Sequence, residues 1–292
     1  MKQQAHAAPT DDLRVFNDLA RSFAKKELAS HLHEREYPYS REVKDIIETA
    51  KEAGLFGINL PLEWSGVGLD VRALAGIVEE ISAVDAGMAG MLFTHAAALE
   101  IIAAAAVPDK DNCRTVYETI AGKEGIPLAF QACSSPAETG FLEVGGKNRP
   151  LLNGRLPFLV LGGIARYAVA AGARQKEKGY SYYLMDLSHK GAEKSAPILT
   201  LGLQACQAMD VTLNDVPGLL IGEQGSGEVC FEKMQLRMSL AAAAISLGIM
   251  EGCFKEALAY TGQRRQGGRN IVEWSGVRMK LAEMAIAIDV GR

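Results

Sequence analysis

Several things are scarce in this sequence, and each shortage excludes a class of protein. Charge of one sign is not in excess: 31 Lys and Arg face 35 Asp and Glu, a net charge of −4. Neither nucleic acid nor an anionic membrane surface is therefore an expected partner. Long apolar runs are absent; Ala96–Val107, the greasiest stretch, is broken by Glu100 and is too short to span a bilayer. The five cysteines, Cys113, Cys133, Cys206, Cys230 and Cys253, are odd in number and never at CxxC spacing. They read as reduced thiols serving as small buried hydrophobes, with no zinc site. The histidines, His6, His31, His33, His95 and His189, are scattered, so no metal site is expected. The opening MKQQAHAAPTDDLRVF has no apolar signal core, which gives the expectation of a cytoplasmic protein without a membrane span. There is no GxGxxG fingerprint, and GEQGSGE reads as a surface turn, because no Lys-Ser/Thr follows it.

What is present falls into three textures, an α+β order. Residues 1–123 read as a helical domain. TDDLRVFNDLARSFAKKELAS places Leu13, Phe16, Leu19, Ala20 and Phe23 on one stripe. YSREVKDIIETAKEAG runs from an expected N-cap at Ser40 to a C′ residue at Gly54, and Asp70 is expected to cap the next helix. Residues 124–227 read as a β-domain, a small barrel or sandwich, from PLAFQAC, RPLLNGRLPFLVL, ARYAVAAGA, YSYYLMDL and AMDVTLNDV. Asn153-Gly154 is a hairpin-turn signal within it. Residues 228–292 read as two antiparallel helices divided by GGRN, the first two of a C-terminal bundle. Their apolar residues cover more than one stripe, so they need further helices or another chain, and a homo- or hetero-oligomer is expected.

The pentapeptide EWSGV occurs at Glu63–Val67 and again at Glu273–Val277. The first copy runs into GLD in a Gly/Pro-bearing loop; the second runs into RMKLAEMA at a helix start. With flanks this different the two copies are a coincidence, not an internal repeat.

The phrases LFGINLPLEWSGVGLD, VEEISAVDAG, LNGRLPFLVLGGIA, VTLNDVPGLLIGEQGSGE and EALAYTGQRRQGGRNI, in that order, resemble the acyl-CoA dehydrogenase family over essentially the whole chain. The resemblance implies a helical domain, a β-domain and a helical bundle arranged around FAD. It implies oxidation of the Cα–Cβ bond of an acyl-CoA thioester, with an electron-transfer flavoprotein as acceptor. A carboxylate takes the α-proton in such enzymes while hydride goes to the flavin.

The matching positions are only partly kept. The family's flavin-facing Thr-Glu-Pro-Gly-Ala-Gly-Ser-Asp corresponds to Ser134-Ser135-Pro136-Ala137-Glu138-Thr139-Gly140-Phe141, just after Gln131. Trp-Ile-Thr corresponds to Phe158-Leu159-Val160: Phe158 keeps an aromatic wall, and Val160 has no hydroxyl to offer. Arg-Gly-Ser-Asp/Glu-Thr corresponds to Gln204-Ala205-Cys206-Gln207-Ala208. Arg-x-Gln-Phe-Gly corresponds to Arg264-Arg265-Gln266-Gly267-Gly268, keeping Arg264 and Gln266, and a later Phe-Gln pair is Trp274-Ser275. The implied cofactor-binding set is Gln131, Ser134, Phe158, Val160, Arg264 and Gln266. A hydrogen bond is worth about 0.5–1.5 kcal/mol, so several losses weaken FAD binding by on the order of 100-fold.

The catalytic base is unassigned. Most relatives carry it in a last quarter that this sequence lacks. A minority carry it immediately before an arginine of the first bundle helix, which here is Arg237, preceded by Leu236. Two readings stay open: a dehydrogenase completed by another polypeptide, or a non-catalytic structural or partner subunit. His95, on an apolar helix, reads as a core histidine; Glu79 and Glu80 read as one outward and one partly buried capping or salt-bridge group; and Glu232 reads as a solvated surface group.

Overall fold

The computed structural model describes residues 10–35, 43–106, 110–121, 126–131, 135–146, 149–175 and 178–292. The helical layer comprises α1 (Thr10–Phe23), α2 (Val43–Glu52), α3 (Val71–Ser82), α4 (Ala86–Ala105) and α5 (Lys110–Ile120). In α1, Ala20 and Phe23 are buried and Phe16 packs against the core, whereas Leu19, expected on that stripe, is 38% exposed. Gly54 ends α2 with φ +77°, which costs a glycine little. The Ser40 cap lies outside the described residues. Asp70 caps α3 by accepting from the Arg72 and Ala73 backbone N–H groups, and Asp85 caps α4 by accepting from Met88. Both carboxylates answer otherwise unpaired amides of a first turn.

Helix α4 is long and apolar enough to cross a bilayer, as is a window of the long helix that follows the barrel; α4 is mostly buried inside this layer. Its one acid, Glu100, is buried as well.

The strands are β1 (Leu128–Ala129), β2 (Leu142–Gly145), β3 (Leu151–Val160), β4 (Tyr167–Ala173), β5 (Ser181–Asp186), β6 (Ala192–Lys194) and β7 (Ala208–Ile221), with the short helix α6 (Pro136–Thr139) before β2. The path β4-β2-β3-β7-β5 returns to β4 through the β4–β5 ladder, so the sheet closes into a barrel; β1 and β6 pair on its margin. Closure leaves few open edges. Asn153 and Gly154 do not turn a hairpin but lie inside β3, where Gly154 has φ +124° at a register shift against β7. The Asn153 side chain instead pairs across the sheet with Asp215, donating to its carboxylate at 3.0 Å and accepting from its N–H at 2.9 Å. A bulge uses the same positive φ as a hairpin turn, which is why the dipeptide misleads.

Two long helices close the chain: α7 (Gly227–Gln263) and α8 (Ser275–Gly291), joined by the hairpin strands β8 (Arg265–Gln266) and β9 (Arg269–Asn270), whose turn is Gly267-Gly268, both at positive φ. A Cβ at Gly248 would collide with Ser82 Oγ and the Glu79 carbonyl, so α7 meets the end of α3 backbone to backbone. Part of each helix stays open: Leu240, Met279, Ile286 and Val290 are exposed. The two EWSGV segments differ in structure too. The first holds a short 3₁₀ turn, with Trp64 stacked on Tyr117; in the second, Glu273 completes a capping box with Asn270 before α8.

Four cysteines fall in the described residues and are free thiols. Cys113 and Cys230 are buried and Cys206 half-buried, but Cys253 is exposed on α7, contrary to the expectation of a buried hydrophobe.

Candidate functional site

The candidate cleft begins at one end of the barrel. A register shift between Leu156 and Leu159 displaces Phe158, whose backbone takes φ +53°. That conformation is uncommon outside glycine and needs fixing by neighbours. Asp210 of β7 provides the fixing: its carboxylate accepts from the Phe158 N–H at 2.9 Å and from the Arg155 guanidinium. The Arg155 hydrogen bond, then the Phe158 amide, hold the Asp210 carboxyl below its usual range. The result is an aromatic ring 38% exposed at the barrel end. Gln131 straps the segment, donating its amide to the Pro157 carbonyl at 2.6 Å. Val160, one pleat beyond, is 2% exposed; it pairs with Ala208 and bridges Phe130, with its side chain in the core. Ser134 lies outside the described residues.

Arg264 and Gln266 lie elsewhere. Arg264 ends α7, with its N–H bonded to Tyr260 and its carbonyl accepting from Ile271, and Gln266 sits on the β8–β9 hairpin opposite Arg269. At 1.5 Å per residue a helix as long as α7 spans about 55 Å, so its tip is far from its own start, where the Gly227 N–H donates to the Tyr180 carbonyl. Beside Gln266 a groove is lined by Gly267, Ile271, Trp274 and Val277. The Arg269 guanidinium lies 4.2 Å over the Trp274 ring, a cation–π contact. Gln131 and Phe158 thus belong to the barrel, and Arg264 and Gln266 to the connection between α7 and α8.

The position before Arg237 holds an exposed side chain: Leu236 is 77% exposed. Arg237, about 100° further round the helix, turns back to α4, and its Nε lies 3.1 Å from Glu100 Oε2. Burial pushes the Glu100 carboxyl up, and Arg237 offsets part of that. Glu100 was visible in the sequence only as the acid interrupting an apolar run. Asp210 carried no signal at all, because its role follows from the bulge opposite it. Glu232 is exposed. Glu80 pairs with Arg21 and Glu79 with Arg292, as salt-bridge groups.

His95 is a core histidine. Its Nδ1 accepts from the Leu128 N–H at 3.1 Å, which fixes the proton on Nε2, 2.9 Å from the Phe56 carbonyl. Burial lowers its pKa to about 4. It joins α4, the loop after α2 and β1, and has no free nitrogen for chemistry.

Comparison with known proteins agrees with this layout. Residues 10–109 match the acyl-CoA dehydrogenase N-terminal domain and residues 232–292 the acyl-CoA dehydrogenase C-terminal domain, together more than half of the chain. The chain belongs to the acyl-CoA dehydrogenase family. It is 25% identical to a 3-(aryl)acrylate reductase of Clostridium sporogenes and 26% identical to an acyl-CoA dehydrogenase of Bacillus subtilis; each match covers 97% of this chain and 77% of the relative. It is 23% identical to the caffeyl-CoA reductase-Etf complex subunit CarC of Acetobacterium woodii, over 96% of this chain and 76% of that one. The butyryl-CoA dehydrogenase structure from Megasphaera elsdenii has the same fold, with a TM-score of 0.84 at 23% identity, over 99% of this chain and 78% of that one.

Acyl-CoA dehydrogenases are FAD flavoproteins, so the described residues can be tested against a flavin. Phe158 offers a ring face. Val160 has no polar group and is buried, and the Gln131 amide nitrogen is taken by Pro157. At the barrel end the described residues of this set give an aromatic wall, and its polar members Arg264 and Gln266 lie on the connection between α7 and α8.

Proposed function

We propose that this chain is an acyl-CoA dehydrogenase-fold subunit that holds FAD weakly and does not itself remove the α-proton of an acyl-CoA thioester. One observation carries the reading. At the helix position before Arg237 stands an exposed aliphatic side chain, and the nearby buried carboxylate, Glu100, is engaged by Arg237 on the side facing α4. Proton abstraction from carbon needs a base within hydrogen-bond reach of that proton. Weak flavin binding follows from the missing polar contacts, worth on the order of 100-fold in affinity.

The chain's own residues then have binding roles. Phe158, fixed by Asp210, presents a flat apolar face, and Gln131 keeps the segment before it in place. Arg264 and Gln266, at a tip about 55 Å from the start of α7, are exposed, and in an oligomer they would be open to a neighbouring subunit. A homo- or hetero-oligomer would cover the open α7–α8 face and let these groups reach a cleft that is not their own. That arrangement supports a second reading, a dehydrogenase whose base comes from another polypeptide, with an electron-transfer flavoprotein as acceptor.

Two measurements test the proposal. FAD affinity is measured by quenching of flavin fluorescence, and turnover is measured with an artificial electron acceptor across short-chain and aryl acyl-CoA thioesters. The proposal expects weak binding and no turnover by the chain alone. Tight binding with turnover rejects it.

A further inference from the structure

The β3–β7 ladder has two ends. Val160 pairs with Ala208 at the Phe158 end, and Leu151 pairs with Pro217 at the other. At about 3.3 Å per residue the nine steps between them put the two ends up to about 30 Å apart. A groove of about 580 Å³ opens beside Pro150 and Pro217, within the roughly 300–1,000 Å³ typical of small-molecule sites.

Its lining combines three kinds of group. Leu184, Leu219 and Leu220 give apolar surface, Tyr167 gives an aromatic ring, and Arg149 and Arg174 give positive charge. Asp186 is the only acid among the lining residues, and Arg166 pairs with it at 3.3 Å. The charge balance of the groove is therefore positive. Arg174 is held in place by donating Nη1–H to the Gly146 carbonyl at 2.9 Å, just past the end of β2. Arg149, on the same β2–β3 connection, is exposed and makes no hydrogen bond or ion pair with any described residue. Guanidinium groups bind phosphate oxygens in pairs of parallel hydrogen bonds, and two of them match a dianion better than a monoanion.

We propose that this groove is a second binding site, for a phosphate monoester carried on an aromatic or apolar body; a nucleoside monophosphate is one natural form of that chemistry. The phosphate meets Arg149 and Arg174, and the body lies along Tyr167 and the leucines. The site is independent of the flavin-facing cleft, so it stands whether or not the chain binds FAD.

Calorimetric titration of the whole chain with AMP, phenyl phosphate, benzoate and inorganic phosphate tests it. The proposal expects saturable binding of AMP and phenyl phosphate, tighter than that of benzoate or inorganic phosphate. Arg149→Ala, an exposed change that leaves the fold intact, should weaken both by about tenfold, the worth of a charge-assisted hydrogen bond. Phe158→Ala should leave both unchanged. Absence of saturable binding, an Arg149→Ala protein that binds like wild type, or binding lost with Phe158→Ala overturns the site. Benzoate binding as tightly as phenyl phosphate overturns the phosphate assignment.

Discussion

Arg237 of α7 lies 3.1 Å from Glu100 of α4, tying the first bundle helix to the most apolar helix of the N-terminal layer. Glu100 is 6% exposed. A carboxylate that far from water is tolerated because a cation sits beside it.

Arg237→Ala should therefore destabilise the protein by about 1–3 kcal/mol, less than for a fully buried pair because the Arg237 side chain is 48% exposed and screened by water. The loss should depend on pH. Burial already raises the Glu100 carboxyl, and removing Arg237 raises it further. A carboxyl with a raised folded pKa takes up its proton more readily when folded, so its cost is felt as pH rises through that folded pKa and fades below it. Urea unfolding should show a larger deficit for Arg237→Ala in mildly alkaline than in mildly acidic buffer. An equal deficit in both would count against the pairing.

His95 acts with the opposite sign. Its pKa falls from 6.5 unfolded to about 4 folded, so the unfolded chain binds the extra proton between those values. Its contribution is complete above pH 6.5 and is lost as pH falls toward 4, by about 3 kcal/mol at most. Replacing His95 with Gln should flatten wild-type stability across this window in urea titrations. A slope unchanged by the substitution would assign the acid sensitivity to other groups.

Two glycines of α7 should respond in opposite directions. Gly248→Ala drives a methyl into Ser82 Oγ and the Glu79 carbonyl, and should cost about 1–3 kcal/mol. Gly262→Ala meets nothing within 4 Å in the last turn of the same helix, and should stabilise by up to about 1 kcal/mol. Melting temperatures of the two variants check the pair directly. Two losses of similar size would mean that helix propensity and packing are wrongly separated here.

Much of this architecture was legible because it rests on local rules. The Asp70 cap, the Gly54 stop and the α7–turn–α8 pattern each follow from the preference of one residue for one backbone state. The core role of His95 was legible from its apolar helix, although the partners Phe56 and Leu128 are 39 and 33 positions away and belong to tertiary packing. Asn153-Gly154 misled because positive φ serves bulges as well as turns. The site was harder to read. Nothing in the letters around Phe158 shows that its neighbour Val160 turns inward, since that depends on a register shift opposite Asp210. Glu100 stood out as an acid in an apolar run, but its partner Arg237 lies 137 positions on (237 − 100) and on another helix.

On the proposed reading the residues of this chain do not remove a proton from the α-carbon. Exchange of that proton measures it most directly: an acyl-CoA deuterated at the α-position is incubated without oxygen in the presence of excess FAD and the protein, and loss of deuterium is followed by mass spectrometry. Wild type should exchange no faster than buffer, and Leu236→Glu, which places a carboxylate before Arg237, should give a measurable gain. Exchange by the wild-type chain well above buffer, unaffected by Leu236→Glu, would contradict it.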